Sequence, residues 1–174
     1  MANQTLQVSE GLEVIPSATV RIPNPGEVVI LDIATGASVG VAAFTAGTLT
    51  DVGTSFLDAN IKVGAIIYNT TAGIAYNVVS VDSDTAITIF PATAGGATDS
   101  YTIYNGATKG CLLYVGGEGS LTVQMAQQNG NTSTLASPAN REVTLINVPD
   151  ASFLPLHVVK VSDTTTATSV IALW

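Results

Sequence analysis

CLLYVGGEGSLTVQM (residues 111–125) and, after a polar stretch, REVTLINVPDASFLPLHVVKVSDTTTATSVIALW (residues 141–174) decide the fold class. Each apolar run in these stretches is short and rich in Val, Ile, Leu, Thr and Tyr, and each is bounded by Gly, Asn, Asp or Pro. That pattern belongs to strands joined by turns. The run closes on Trp174 with no charge after Asp163, so this end is expected to be tied into a sheet rather than left to fray.

The same texture extends outward through the chain. Further apolar runs predict strands at 18–22, 28–34, 38–44, 63–69, 75–81, 86–90 and 100–104, in addition to 111–115, 120–125, 142–148, 156–161 and 169–173. Turn-formers separate them: Pro23-Asn24-Pro25-Gly26, Thr35-Gly36, Thr71-Ala72-Gly73, Asp82-Ser83-Asp84, Gly95-Gly96, Gly116-Gly117 and Gln128-Asn129-Gly130. No window sustains a helical period, and one helical turn is expected at 55–59. Short strands at this spacing predict an all-β protein, a β-sandwich or jelly-roll-like domain. Residues 47–105 read as a small β module inserted into a discontinuous domain made of 1–46 and 106–174, because the text at the two ends of the module suits neighbouring strands or a hairpin stem.

Composition narrows the function classes. Hydrophobic residues make up 47% of the 174 and charged ones only 10%, so a core is assured and the surface is left to Thr, Ser, Asn and Gly. A surface of that kind favours contact with other protein. Thirteen acids face five scattered cations (Arg21, Lys62, Lys109, Arg141 and Lys160), a net charge of −8, which argues against nucleic acid and anionic membrane as partners. The polar start lacks a signal-peptide pattern, and no stretch approaches the ~18 apolar residues of a membrane helix.

Residues able to carry chemistry are sparse. Cys111 is the sole cysteine and lies in the apolar run CLLYV, which predicts packing rather than nucleophilic use. His157, the sole histidine, alternates with valines and lacks the companions of a metal site. Asp82-Ser83-Asp84 lacks the ligand series of a calcium loop and suits a turn, while Asp51, Asp58 and Asp99 read as turn or cap residues. The glycine pairs precede no Lys-Ser/Thr, so they are expected to be turns rather than phosphate cradles. The Asn-X-Ser/Thr tripeptides at Asn3, Asn69 and Asn131 read as chance matches. No catalytic residue, metal site or cofactor is predicted. Candidate interface or ligand contacts are Tyr68, Tyr76, Tyr101, Tyr104 and Trp174, since an aromatic on an exposed β face can stack on a sugar or anchor a protein.

Four pieces of the C-terminal third, LYVGGEGSLTV (113–123), VTLINVPDASFLPLHVVKV (143–161), DTTTAT (163–168) and VIALW (170–174), resemble the phage head spike base family, including its members in phage-like gene transfer particles. The chain departs from that pattern at Asp163, at Asp150-Ala151 and in a longer polar stretch over 127–139, and the 47–105 module resembles small β modules of phage structural proteins. The resemblance implies a non-enzymatic virion protein on the outer capsid surface, made in the host cytoplasm, as spike base or decoration (cement) subunit. Its implied partners are the major capsid protein, further copies of itself in a trimer or pentamer, and a fibre protein. The acidic balance suits an outward position better than one lining packaged DNA. Two other readings stay open at this point: a glycan-binding module for host attachment through the central tyrosines, and a polysaccharide-cleaving enzyme using a carboxylate pair.

Overall fold

The computed structural model describes residues 8–32, 42–126 and 142–174, and within them the chain is all-β. Residues 38–41 of the strand expected over 38–44, the turns at Thr35-Gly36 and Gln128-Asn129-Gly130, and the tripeptides at Asn3 and Asn131 lie outside the described residues. Among the described residues thirteen strands form two antiparallel sheets, and each sheet belongs to its own compact unit. The first unit holds 1–18 and 109–174, the second 19–108. Among the described residues no helix is long and apolar enough to cross a membrane.

The sheet of the first unit contains β1 (Gly11–Glu13), β9 (Cys111–Gly117), β10 (Gly119–Met125), β11 (Glu142–Val148), β12 (Ser152–Val161) and β13 (Thr168–Leu173), in the order β1-β13-β9-β12-β10-β11. Strand β12 is the hinge of this order. Its first half pairs with β9 and its second half with β10, and Val158 stands opposite Cys111 in one ladder and Met125 in the other. The register slips between Leu154 and Val158, around Pro155, which has no amide hydrogen to give to a ladder. Leu113, Val115, Leu121, Val123, Val158, Val161 and Ala172 are buried, in keeping with the period of two that put alternate residues on one face.

The sheet of the second unit runs β2-β8-β5-β6-β7-β4-β3, from β2 (Val28–Asp32), β3 (Ala43–Thr45), β4 (Thr48–Thr50), β5 (Ile66–Asn69), β6 (Ile74–Ser83), β7 (Ala86–Phe90) and β8 (Tyr101–Tyr104). Its core gathers Phe44, Leu49, Phe56, Ile67, Tyr76, Val78, Ile87, Ile89, Tyr101 and Ile103. The outer strand β3 is covered: Phe44 donates its amide to the Gly96 carbonyl and accepts from the Gly95 amide, each at 3.0 Å.

Several expectations need correction. The inserted unit starts at Thr19 and ends at Thr108, not at 47 and 105, because β2 pairs with β8 and β3 with β4. Gly47, with φ +85°, turns the β3–β4 hairpin and marks no boundary. Residues 18–22 form no strand; Val20 and Ile22 are buried without a ladder, and the nearest pairing is an isolated bridge from Pro23 to Ala107. Gly116 and Gly117 lie within β9 rather than in a turn, where a Cβ on Gly116 would meet Ser169 Cβ at 2.9 Å. The short strands β1 and β4 carry no periodic signal of their own. At 55–59 the Ala59 amide does bond back to the Ser55 carbonyl at 3.1 Å, a single helical turn.

Candidate functional site

The tyrosines proposed as contacts do not present a face. Tyr68, Tyr76, Tyr101 and Tyr104 are all buried. Tyr76 stacks on Phe44 with ring centroids 5.3 Å apart, Tyr101 meets the same ring edge-on at 5.8 Å, and Tyr68 meets Tyr104 edge-on at 5.9 Å. Burial raises the Tyr76 and Tyr104 hydroxyls above their ordinary value, with the Asp99 carboxylate adding to the effect at Tyr76. Trp174 is half-buried, and its carbonyl accepts from the Ser9 amide at 2.7 Å while its amide donates to the Glu10 carbonyl at 3.1 Å. The C-terminal strand is thus fastened by β1, a partner strand the sequence reading did not find.

Asp51 and Asp99 of the second unit bind the loops they sit in, and Asp82, expected in a turn, instead lies in β6. Asp51 is buried and accepts from the Gly53 amide at 2.8 Å, the Thr54 hydroxyl at 3.3 Å and the Tyr101 hydroxyl at 2.7 Å. Asp99 accepts from the Asn69 amide at 2.7 Å and the Gly96 backbone at 2.6 Å. Side chains at positions 95 and 96 would collide with this pair: a Cβ on Gly95 would stand 2.8 Å from both Asn69 and Asp99. Asp82 is exposed and its carboxyl is held below the usual range by the Ser80 hydroxyl first and the Thr88 hydroxyl second, both at 2.7 Å. Asp84 accepts from Ser55 at 2.9 Å. Among the described residues no three of His, Cys, Asp and Glu gather as metal ligands.

In the first unit, burial pushes the Cys111 thiol up to about 12, and its Sγ donates to the Val158 carbonyl at 3.2 Å, so it is a packed, protonated group. His157 is exposed on β12. Lys160, one of the five scattered cations, is buried. It reaches across β10 to Glu142 on β11 at 2.7 Å and donates to the Ala18 carbonyl at 2.6 Å. Taking Lys160 out of water needs both partners, because an unpaired buried ammonium is costly.

What the first unit leaves unsatisfied lies at its margin. Among the described residues β11 has one strand neighbour, β10, and no described strand pairs with the backbone donors and acceptors of its other edge. Between Gly119 and Leu121 the β10–β11 register shifts by one residue, so that Ile146, 74% exposed, and Asn147, at φ +55°, on β11 stand against Ser120 alone on β10. A left-handed backbone at Asn147 is one that asparagine tolerates better than most residues. The end of the strand opens into a cleft of about 570 Å³ lined by Glu118, Gly119, Asn147, Val148, Pro149 and Thr166. Thr166 is committed to the fold, its hydroxyl accepting from the Ser120 amide at 2.9 Å and its amide donating to the Ser120 carbonyl at 2.9 Å. Among the described residues, no hydrogen bond or ion pair engages the side chains of Glu118 and Asn147. The sequence signal for this place was the NVP text at 147–149 together with GEG at 117–119, two loops that only the fold brings together.

No protein-family model matches the chain, and no curated protein or solved structure is similar enough to it to count as a match.

Proposed function

We propose that this chain is a non-enzymatic structural subunit of a phage-type virion, placed on the outer capsid surface as a head spike base or decoration subunit. The carrying observation is the edge of β11, which has no second strand neighbour among the described residues and ends in the exposed Ile146 and an acid-bearing cleft, on a unit whose Lys160, Glu142 and Cys111 are committed to packing and internal ties. A sheet edge left open is a place where another chain adds on. The resemblance to spike base proteins supports the same reading, since its four pieces supply β9 to β13 and all of them fall in the first unit.

On this reading the protein works by contact: it binds the major capsid protein and copies of itself, and carries a fibre. The buried tyrosines withdraw the support that the glycan-binding alternative drew from them. Two measurements test the proposal. Sedimentation of the purified chain at micromolar concentration is expected to give a trimer, pentamer or higher assembly, and an electron cryo-microscopy map of particles bearing the chain is expected to show it outside the shell. A strict monomer that does not cosediment with capsids would overturn it.

A further inference from the structure

We infer that the β11 edge and the cleft at its end form one binding site for an extended protein segment that carries a basic side chain, supplied by a second protein. The inference rests on the assembly reading above and names the kind of contact that the assembly uses. Strand addition draws affinity from main-chain hydrogen bonds to an open edge, and selectivity from a pocket that takes one side chain. Both parts are present and share residues. The edge runs along Glu142–Val148, and its last two residues, Asn147 and Val148, line the cleft.

The chemistry of the cleft selects the side chain. Glu118 is exposed and contributes a carboxylate, Asn147 contributes a carboxamide, and among the described residues no lysine or arginine lines the cleft. A guanidinium or ammonium suits this pair: a carboxylate accepts from an arginine fork, and the amide oxygen accepts from a further N–H. A cleft of about 570 Å³ has room for a whole arginine side chain. The register bulge at Ile146 and Asn147 ends regular pairing just before the cleft, so an incoming strand pairs along the first part of β11 and then turns its basic residue inward.

Charge decides against a second copy as the donor. The chain holds thirteen acids and five cations, and Lys160, one of the five, is buried and already paired. A different and more basic protein supplies such a segment more readily, and an acidic chain is steered toward it.

The test uses the full chain and two fluorescein-labelled peptides, each a Thr-Val-Thr-Val stretch joined through Gly to a single Arg, at the C-terminus in one and at the N-terminus in the other. Fluorescence anisotropy is expected to show binding of at least one. Replacing that Arg with citrulline, which keeps the shape and loses the charge, is expected to weaken binding about tenfold. Glu118→Gln is expected to weaken the Arg peptide to a similar extent while leaving the citrulline peptide unchanged. N-methylation of alternate Thr-Val amides is expected to abolish binding of either peptide. Absence of binding by both Arg peptides, or binding indifferent to citrulline and to Glu118→Gln, overturns the inference. Ile146→Lys separates it from self-assembly: if that change dissociates the oligomer, the edge belongs to a second copy and the inference fails, while the assembly reading stands.

Discussion

Gly119 shows how far a single residue constrains this fold. Its backbone lies so close to the segment before β13 that a Cβ would stand 2.5 Å from the Ala167 nitrogen and 2.7 Å from its Cα. Those neighbours are main chain and cannot rotate away, so Gly119→Ala is expected to cost about 1–3 kcal/mol, read as a lower denaturation midpoint for the first unit. Tyr101→Phe is expected to cost about 1–3 kcal/mol by a different route, since it removes a donor from the buried Asp51 carboxylate without changing the volume of the core. Cys111 gives a pH signature. Its thiol ordinarily titrates near 9, and burial raises it to about 12 in the folded chain. A raised value means that the unfolded state loses its proton first, so the contribution of the protonated thiol to stability is intact below pH 9 and fades as the pH climbs toward 12. Alkylation by iodoacetamide at pH 8 is expected to be slow in the native protein and fast in denaturant; equal rates would place the thiol at the surface.

At the scale of elements, legibility followed length and period. The strands at 86–90 and 142–148 stand where the sequence put them, because apolar and polar residues alternate through 87–89 and 142–145 and turn-formers bound both runs. Three-residue β1 and β4 are too short to show alternation, and they exist through their partners β13 and β7. Gly116 and Gly117 read as a turn by composition, yet their lack of side chains serves close approach to Ser169 and Thr168 inside a strand. The candidate cleft was unreadable for a related reason, since its walls come from segments near 118, 148 and 166 that no local pattern links. Lys160 marks another limit: periodicity places it on a strand but cannot say that Glu142 waits two strands away. Lys160→Met alone is expected to destabilise the first unit by about 3–5 kcal/mol, because it leaves the partly buried Glu142 unpaired, while the double change with Glu142→Leu recovers most of that loss. Urea denaturation of the two variants checks this, and equal losses would mean that the unpaired Glu142 is not what destabilises Lys160→Met.

For the molecule as a whole, an insertion was legible but its edges were not, because β2 finds its partner β8 some seventy residues further on, where no local text points to it. The division at Thr19 and Thr108 leads to an expectation about folding. The core cluster that includes Phe44, Tyr76 and Tyr101 lies wholly within the second unit, and the ladders of β1 and β9 to β13 lie wholly within the first. The two stumps of the first unit also end near each other. The Ser17 amide donates to the Val161 carbonyl at 2.9 Å, and Cys111 stands opposite Val158 on the same strand. Three residues along a strand span about 10 Å, a gap that a six-residue Gly/Ser linker crosses with slack, and loop closure of that size changes stability little. Replacing Thr19–Thr108 with such a linker is therefore expected to leave a protein that unfolds cooperatively and keeps its β-type circular dichroism. Deleting Val170–Trp174 from that shortened protein is expected to unfold it, since the cut removes β13 from between β1 and β9 and takes away the buried Val170 and Ala172. Large buried side chains contribute about 2–5 kcal/mol each, against roughly 5–15 kcal/mol for a whole domain. A shortened protein that melts without cooperativity would show that the first unit depends on the second for its core.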